Sequence, residues 1–188
     1  MNHATTLPSN KAELFKAIQR GLAPDFLLFC QHHKPKGSGV DKSCLSQWFD
    51  ASFQVDGVWY SSAEHYMMAQ KALLFGDKKH FKAIIKNPSV KVAKQLGREV
   101  KGFETKIWNE HKFDIVVAGN LAKFSQQQSL GTFLLSTENA VLVEASPSDS
   151  VWGIGLSESD QNATTPKMWP GENLLGFALM RVRQQLQG

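Results

Sequence analysis

Glu64 and Lys71 stand seven positions apart in the run Ala63 to Phe75 (AEHYMMAQKALLF). On a helix that spacing brings a carboxylate and an ammonium to nearly the same side, about 10 Å apart along the axis, with Met67 and Met68 between them. Both groups can then face one cleft, where a carboxylate does acid–base or charge-stabilising work. Plainer readings stand beside this one. Ser61 and Glu64 fit the Ser-x-x-Glu capping box, in which the glutamate only satisfies a helix N-terminus. His65 reads equally as a half-buried packing residue, and Lys71 as a solvated surface charge.

A second constellation lies at Glu144 to Gly155 (EASPSDSVWGIG). Here a strand runs into a turn carrying Asp149, Trp152, Gly153 and Gly155. An indole can stack on a flat ligand while glycines let the backbone approach it. The alternative is an ordinary Asx turn, with Trp152 packed on the core. Lys94 and Arg98, in KVAKQLGR at 91–98, share a helical face that could dock a phosphate or simply be solvated. The spacing of cysteines and histidines, including the adjacent His32-His33, matches no zinc site, so no metal is expected. No Walker A loop, Gly-x-Gly-x-x-Gly fingerprint or Gly-x-Ser-x-Gly elbow occurs, and no cofactor is expected.

The elements that must position these groups read as a predominantly helical α+β domain around a small sheet. At 188 residues, 42% hydrophobic and 20% charged, the chain has room for one core and a ligand cleft. A net charge of +4, with the cations scattered, disfavours a nucleic-acid-binding stripe. Ser9 or Asn10 caps a first helix that ends near Gly21, and Phe26 to Cys30 is strand-like. A polar loop through His32, His33, Lys34, Lys36, Gly37 and Gly39 follows. Strands are expected around Trp48-Phe49, at Ser52–Val55 and at Val58–Tyr60, the last two joined by an Asp56-Gly57 hairpin turn.

Three helices then follow, capped by Ser61 or Ser62, by Asp77 and by Asn87-Pro88, the third stopping at Gly97. A longer helix over about 105–124 is expected to bury Trp108, Ile115, Val116 and Leu121. A short helix near 130–135, a strand at Val141–Ala145, an irregular stretch at 146–171 and a helix at 173–186 complete the chain. Cys30 and Cys44 read as free thiols of a reducing compartment. The N-terminal residues lack a signal peptide's features, and no apolar run reaches the length of a bilayer span, so a cytoplasmic protein without membrane contact is expected.

Taken together, several stretches resemble the YbiA-like (NADAR) family in order and spacing. They are Leu45 to Trp48 (LSQW), Phe53 to Tyr60, Ala63 to Phe75, Ala93-Lys94 with Gly97-Arg98, Trp108, Gly119 to Phe124 (GNLAKF), Leu134-Leu135, Val143 to Pro147, Asp149, Trp152 to Leu156 and Trp169 to Gly176. The likeness spans about 26–184, leaving residues 1–25 as an N-terminal extension with a short helix and 26–188 as the catalytic domain. It implies an N-glycosidase acting on phosphoribosylamino-pyrimidine intermediates of riboflavin biosynthesis, or on ADP-ribosylated guanine in nucleic acid.

By the same likeness Glu64 and Asp149 are the polar active-site residues, and Trp108 and Trp152 stack on the base. His65, Tyr66, Trp48, Lys94, Arg98, Gly153 and Gly155 complete the expected substrate contacts. Cleaving a C1–N bond builds positive charge on the ribosyl ring, which a carboxylate stabilises. Glu64 would serve that state or activate water, while Asp149 would position ribose hydroxyls or the leaving base. Lys71 offers another route, a Schiff base with an opened ribose aldehyde. The competing class is a non-catalytic reader of ADP-ribose, which needs the aromatic walls but no carboxylate at C1.

Overall fold

A computed structural model describes residues 8–30 and 39–188; residues 1–7 and the loop expected through His32, His33, Lys34, Lys36 and Gly37 lie outside the described part. The fold is α+β and mostly helical, with two separate two-stranded sheets among the described residues where one small sheet was expected. Its contacts divide it into two units. One holds the described residues up to Cys30 together with Leu134–Gly188; the other runs from Gly39 to Phe133.

In the first unit, α1 (Lys11–Gln19) begins at Asn10, whose side chain accepts from the Glu13 N–H. Strand β1 (Phe26–Phe29) pairs in parallel with β4 (Val141–Glu144) in the register Phe26 to Val141. The other edge of β4 meets a side chain instead of a strand: Asn173 donates to the Leu142 carbonyl and accepts from the Glu144 N–H, at 2.9 Å each. Asn173 holds a left-handed φ of 56° and caps α7 (Leu174–Gln187). The long stretch after β4 is irregular, as expected, save for a 3-10 turn at Pro166–Met168. Lys11 reaches the carbonyls of Trp169 and Gly171 and pairs with Glu172, which ties α1 to this stretch.

In the second unit, β2 (Phe53–Val55) and β3 (Val58–Tyr60) form the expected hairpin. Asp56 and Gly57 both take positive φ, 49° and 79°, the conformation of a type I′ turn. The outer edge of β2 is closed by two glutamines. Gln126 accepts from the Gln54 N–H and donates to the Gln54 carbonyl, and Gln127 donates to the Ser52 carbonyl. Helices α2 (Ala63–Leu74), α3 (Lys78–Lys86) and α4 (Val90–Arg98) pack on one another, and α5 (Thr105–Gln126) packs on α2. Helix α6 (Gln128–Ser136) follows α5 in the chain.

Three expectations are corrected here. Trp48 and Phe49 are not a strand; a 3-10 turn at Lys42–Leu45 precedes them and they lie in a turn of their own. The backbone groups that a strand would pair are used otherwise: Lys123 takes the Cys44 and Ser46 carbonyls, and the Ser46 hydroxyl accepts from the Trp48 N–H. The third helix is capped by Ser89 instead of Asn87-Pro88, because the Asn87 side chain accepts from the Ser89 N–H and leaves the Ser89 hydroxyl to receive the Val92 N–H. It runs through Gly97 to Arg98.

On α5, of the expected Trp108, Ile115, Val116 and Leu121, only Val116 is fully buried. The buried stripe is Val116, Val117, Gly119, Asn120, Lys123 and Phe124. Two of its members are polar, so hydrophobic periodicity alone places the stripe on the wrong flank.

Candidate active site

The start of α2 is where the second unit concentrates buried polar groups. The helix cap is Ser62, not Ser61: its hydroxyl accepts from the His65 N–H and bonds His65 Nδ1 at 2.8 Å. The third helical residue, which completes such a box, is therefore His65, so Glu64 is not the capping-box glutamate. Glu64 lies in the first helical turn at 3% exposure, and its backbone N–H donates to the Gln47 carbonyl at 2.9 Å. The positive end of the helix favours negative charge at this position.

His65 has work of its own. Nε2 lies 2.9 Å from the Asn87 carbonyl, which can only accept. The proton is therefore on Nε2, and Nδ1 accepts from Ser62. Burial holds this imidazole below its ordinary pKa. The ring thus links the start of α2 to the end of α3. Tyr66 is also enclosed, edge-on to Tyr60 at 5.0 Å, and its ring occupies the space that a Cβ at Gly119 would need.

Two turns along α2, Lys71 is half-buried with Nζ 4.2 Å from the Phe103 ring centroid and 5.6 Å from that of Trp108. Desolvation lowers its pKa. The structure thus brings Lys71 and Trp108 together, and adds Phe103.

Trp48, Lys94 and Arg98 also come together. With Lys91, Gln95 and Glu99 they line a groove of about 510 Å³, in which Lys94 Nζ sits 5.3 Å from the Trp48 ring centroid. Lys91, Lys94 and Arg98 recur at helical spacing along α4, and its opposite face, Ala93 and Gly97, is buried. Gly97 is required there because Met68 fills the place of a side chain.

Behind Glu64 lies a group that the sequence reading did not select. Asn120, fully buried on α5, donates through Nδ2 to the Val116 carbonyl at 2.9 Å and to Gln47 Oε1 at 2.7 Å. Because a carbonyl only accepts, the Val116 bond fixes which end of Asn120 is the amide nitrogen, and hence which end of Gln47 faces it. Gln47 Nε2 and Asn120 Oδ1 are left enclosed without a hydrogen-bond partner. Each such group costs about 1–3 kcal/mol.

One turn further, Lys123 is fully buried and donates to the Cys44 carbonyl at 2.6 Å and the Ser46 carbonyl at 3.0 Å. Burial brings its pKa down to about 8, and drives the Cys44 thiol up to about 12. No periodicity marks these residues as buried: Asn120 and Lys123 are polar side chains three apart within GNLAKF, on the face of α5 that turns inward.

In the other unit, Asp149 closes an Asx turn. Its Oδ1 accepts from the N–H groups of Val151 and Trp152 at 2.9 and 2.8 Å. Trp152 is half-buried. The Gly153 carbonyl accepts from the Asn173 N–H and the Ile154 carbonyl from the Gly171 N–H, while Gly155 takes a positive φ of 73° beside Pro170. The first N–H groups of α7, on Leu174 and Leu175, donate to the carbonyls of Val151 and Trp152, so this helix N-terminus is spent within the protein. Among the described residues no group of three His, Cys, Asp or Glu side chains is placed to hold a metal ion, and no helix is long and apolar enough to cross a membrane. Neither Cys30 nor Cys44 is in a disulfide.

The NADAR domain family model matches residues 28–187. The chain belongs to the NADAR family. Among NADAR relatives, an N-glycosidase of Acanthamoeba polyphaga mimivirus is 50% identical over 148 residues, covering 76% of this chain and 87% of that protein. N-glycosidase YbiA of Escherichia coli strain K12 is 35% identical over 146 residues, covering 78% and 81%. The NMR structure of E. coli YbiA superposes with a TM-score of 0.70 at 29% identity, covering 96% of this chain and 94% of that one. Both units described above contribute to the NADAR match, with α1 lying before its start.

Proposed function

We propose that this NADAR chain is an N-glycosidase that hydrolyses the C1–N bond between a ribosyl phosphate and a nitrogen base, with phosphoribosylamino-pyrimidine intermediates of riboflavin biosynthesis as its substrates. The observation that carries this reading is the enclosed Glu64 carboxylate in the first turn of α2, relieved of the capping role by Ser62 and His65. Its relatives' names supply the reaction class. As the C1–N bond breaks, its electron pair leaves with the base and positive charge spreads over C1 and the ring oxygen. Glu64 stabilises that charge and takes a proton from the attacking water. Lys94 and Arg98 hold the phosphate in the α4 groove, and Trp48 walls it. Trp108 offers its face to the base. Cys30 and Cys44, neither of them in a disulfide, suit a reducing compartment, and the reading places the activity in the cytoplasm.

A second reading, release of ADP-ribose from guanine in nucleic acid, is favoured by the length of the groove, since three cations along α4 exceed what one phosphate needs. A route through Lys71 is supported by its desolvated amine over two aromatic rings. There the amine adds to C1 of the ring-opened glycosylamine, the C1–N pair leaves with the protonated base, and the imine left on Lys71 is hydrolysed by water to the sugar aldehyde and the free amine. Borohydride with ribose 5-phosphate should then fix a mass on the peptide containing Lys71; no adduct at saturating sugar removes this route.

The deciding test incubates the protein separately with a phosphoribosylamino-pyrimidine and with ADP-ribosylated guanine DNA, and follows base and sugar by mass spectrometry. Turnover of the first supports the main reading, and turnover of the second alone replaces it with nucleic-acid repair. Tight ADP-ribose binding with no turnover of either makes the protein a reader.

A further inference from the structure

We propose that Gln47 and Asn120 together hold the nucleophilic water that Glu64 activates; the inference rests on the N-glycosidase reading. Gln47 Nε2 is a donor and Asn120 Oδ1 an acceptor, both enclosed and neither with a partner in the protein. One water satisfies both: its oxygen accepts from Nε2 and one of its protons goes to Oδ1. The second proton is left for a base, and the second lone pair for an electrophile.

The orientation is not free to reverse, because the Val116 carbonyl sets the Asn120 amide and Asn120 sets Gln47. The position is next to the carboxylate residue. Gln47 takes the Glu64 N–H on its own carbonyl, and Gly119, the neighbour of Asn120, is covered by Tyr66, two residues after Glu64. In the reaction the water oxygen bonds to C1, the C1–N pair leaves on the base nitrogen, and the departing base takes a proton from solvent. The water's second proton passes to Glu64 and from there to solvent. A pair of amides is suited to this, since it orients the water without competing for its proton.

The test is Gln47→Met with Asn120→Leu, which removes both polar partners in similar volume and should leave the thermal midpoint close to that of the unaltered chain. With a phosphoribosylamino-pyrimidine, kcat should fall by about 10²-fold while KM moves by less than about threefold. Product partition gives a readout that a merely structural role would not move. In dilute methanol the unaltered protein should yield ribose phosphate in excess of the bulk water-to-methanol ratio, because its water is held. The double variant should drift toward that bulk ratio, with more methyl riboside phosphate. Unchanged kcat and unchanged partition in a folded double variant overturn the proposal. Should the double variant not fold, Gln47→Met alone carries the same comparison, since Asn120 keeps its bond to Val116. If the unaltered chain releases no base at all, the N-glycosidase reading falls before any substitution is made, and this inference falls with it.

Discussion

Glu64 is joined to Gln47 through the backbone, N–H to carbonyl at 2.9 Å, so the anchoring bond does not involve the carboxylate. Glu64→Gln can therefore remove the charge and leave the attachment of α2 intact. Turnover should drop by about 10²- to 10⁴-fold with an unchanged melting profile. Full activity in a folded variant would sink the assignment of Glu64.

The α4 groove makes a prediction of a different kind, about binding alone. Lys94→Gln and Arg98→Gln should each raise KM for a phosphorylated substrate by about tenfold, the value of one charge-assisted hydrogen bond, with kcat held. The penalty should vanish for the same substrate without its phosphate. An equal penalty on both substrates would mean that the face is only solvated.

His65 governs an acid limb of stability. Burial depresses its folded pKa below the unfolded value of 6.5. The unfolded chain therefore binds the proton first as pH falls, so the stability present above that value is lost below it. One proton contributes at most about 1.4 kcal/mol per pH unit. Thermal midpoints should fall on acidification below neutrality, and His65→Gln should flatten that slope. A slope equal to the unaltered chain's would assign the acid limb to other groups.

Asp149 gives a test of turn against charge. Its Oδ1 carries two backbone N–H groups, so Asp149→Ala should cost about 1–2 kcal/mol in denaturant unfolding. Asp149→Asn retains an oxygen for both bonds and should lie within about 0.5 kcal/mol of the parent. Equal losses in the two variants would show that the turn is not held by that oxygen.

Local grammar made much of this fold legible. Asn10 at the start of α1 and the Asp56-Gly57 hairpin rest on contacts close in sequence, and the last helix shows in its own apolar period. The larger failures come from partners distant in the chain, and the helix caps missed their places by one or two residues through local competition. Trp48-Phe49 reads as a strand until Lys123, far along the sequence, takes the carbonyls beside it. Adjacent Ser61 and Ser62 leave the helix register undecided by one residue, and that residue decides whether Glu64 is a cap. Asn120 and Lys123 lie on a face that polarity argues should be outside. Their burial is explained only by Gln47 and by the carbonyls of Cys44 and Ser46, which no periodicity announces. Lys94, Arg98 and Trp48 were each selected from the sequence, whereas their meeting in one groove depends on the turn that replaced the strand.

The two glutamines at the end of α5 have a consequence for how copies of this molecule meet one another. A two-stranded hairpin presents an open edge, and an open edge is a template on which a foreign strand can add. Gln126 and Gln127 answer the outward groups of Gln54 and Ser52 with side-chain amides, which end the ladder because an amide has no next residue to offer. The hairpin is thereby sealed against self-association at that edge, even though Trp59 on the neighbouring strand stays 63% exposed.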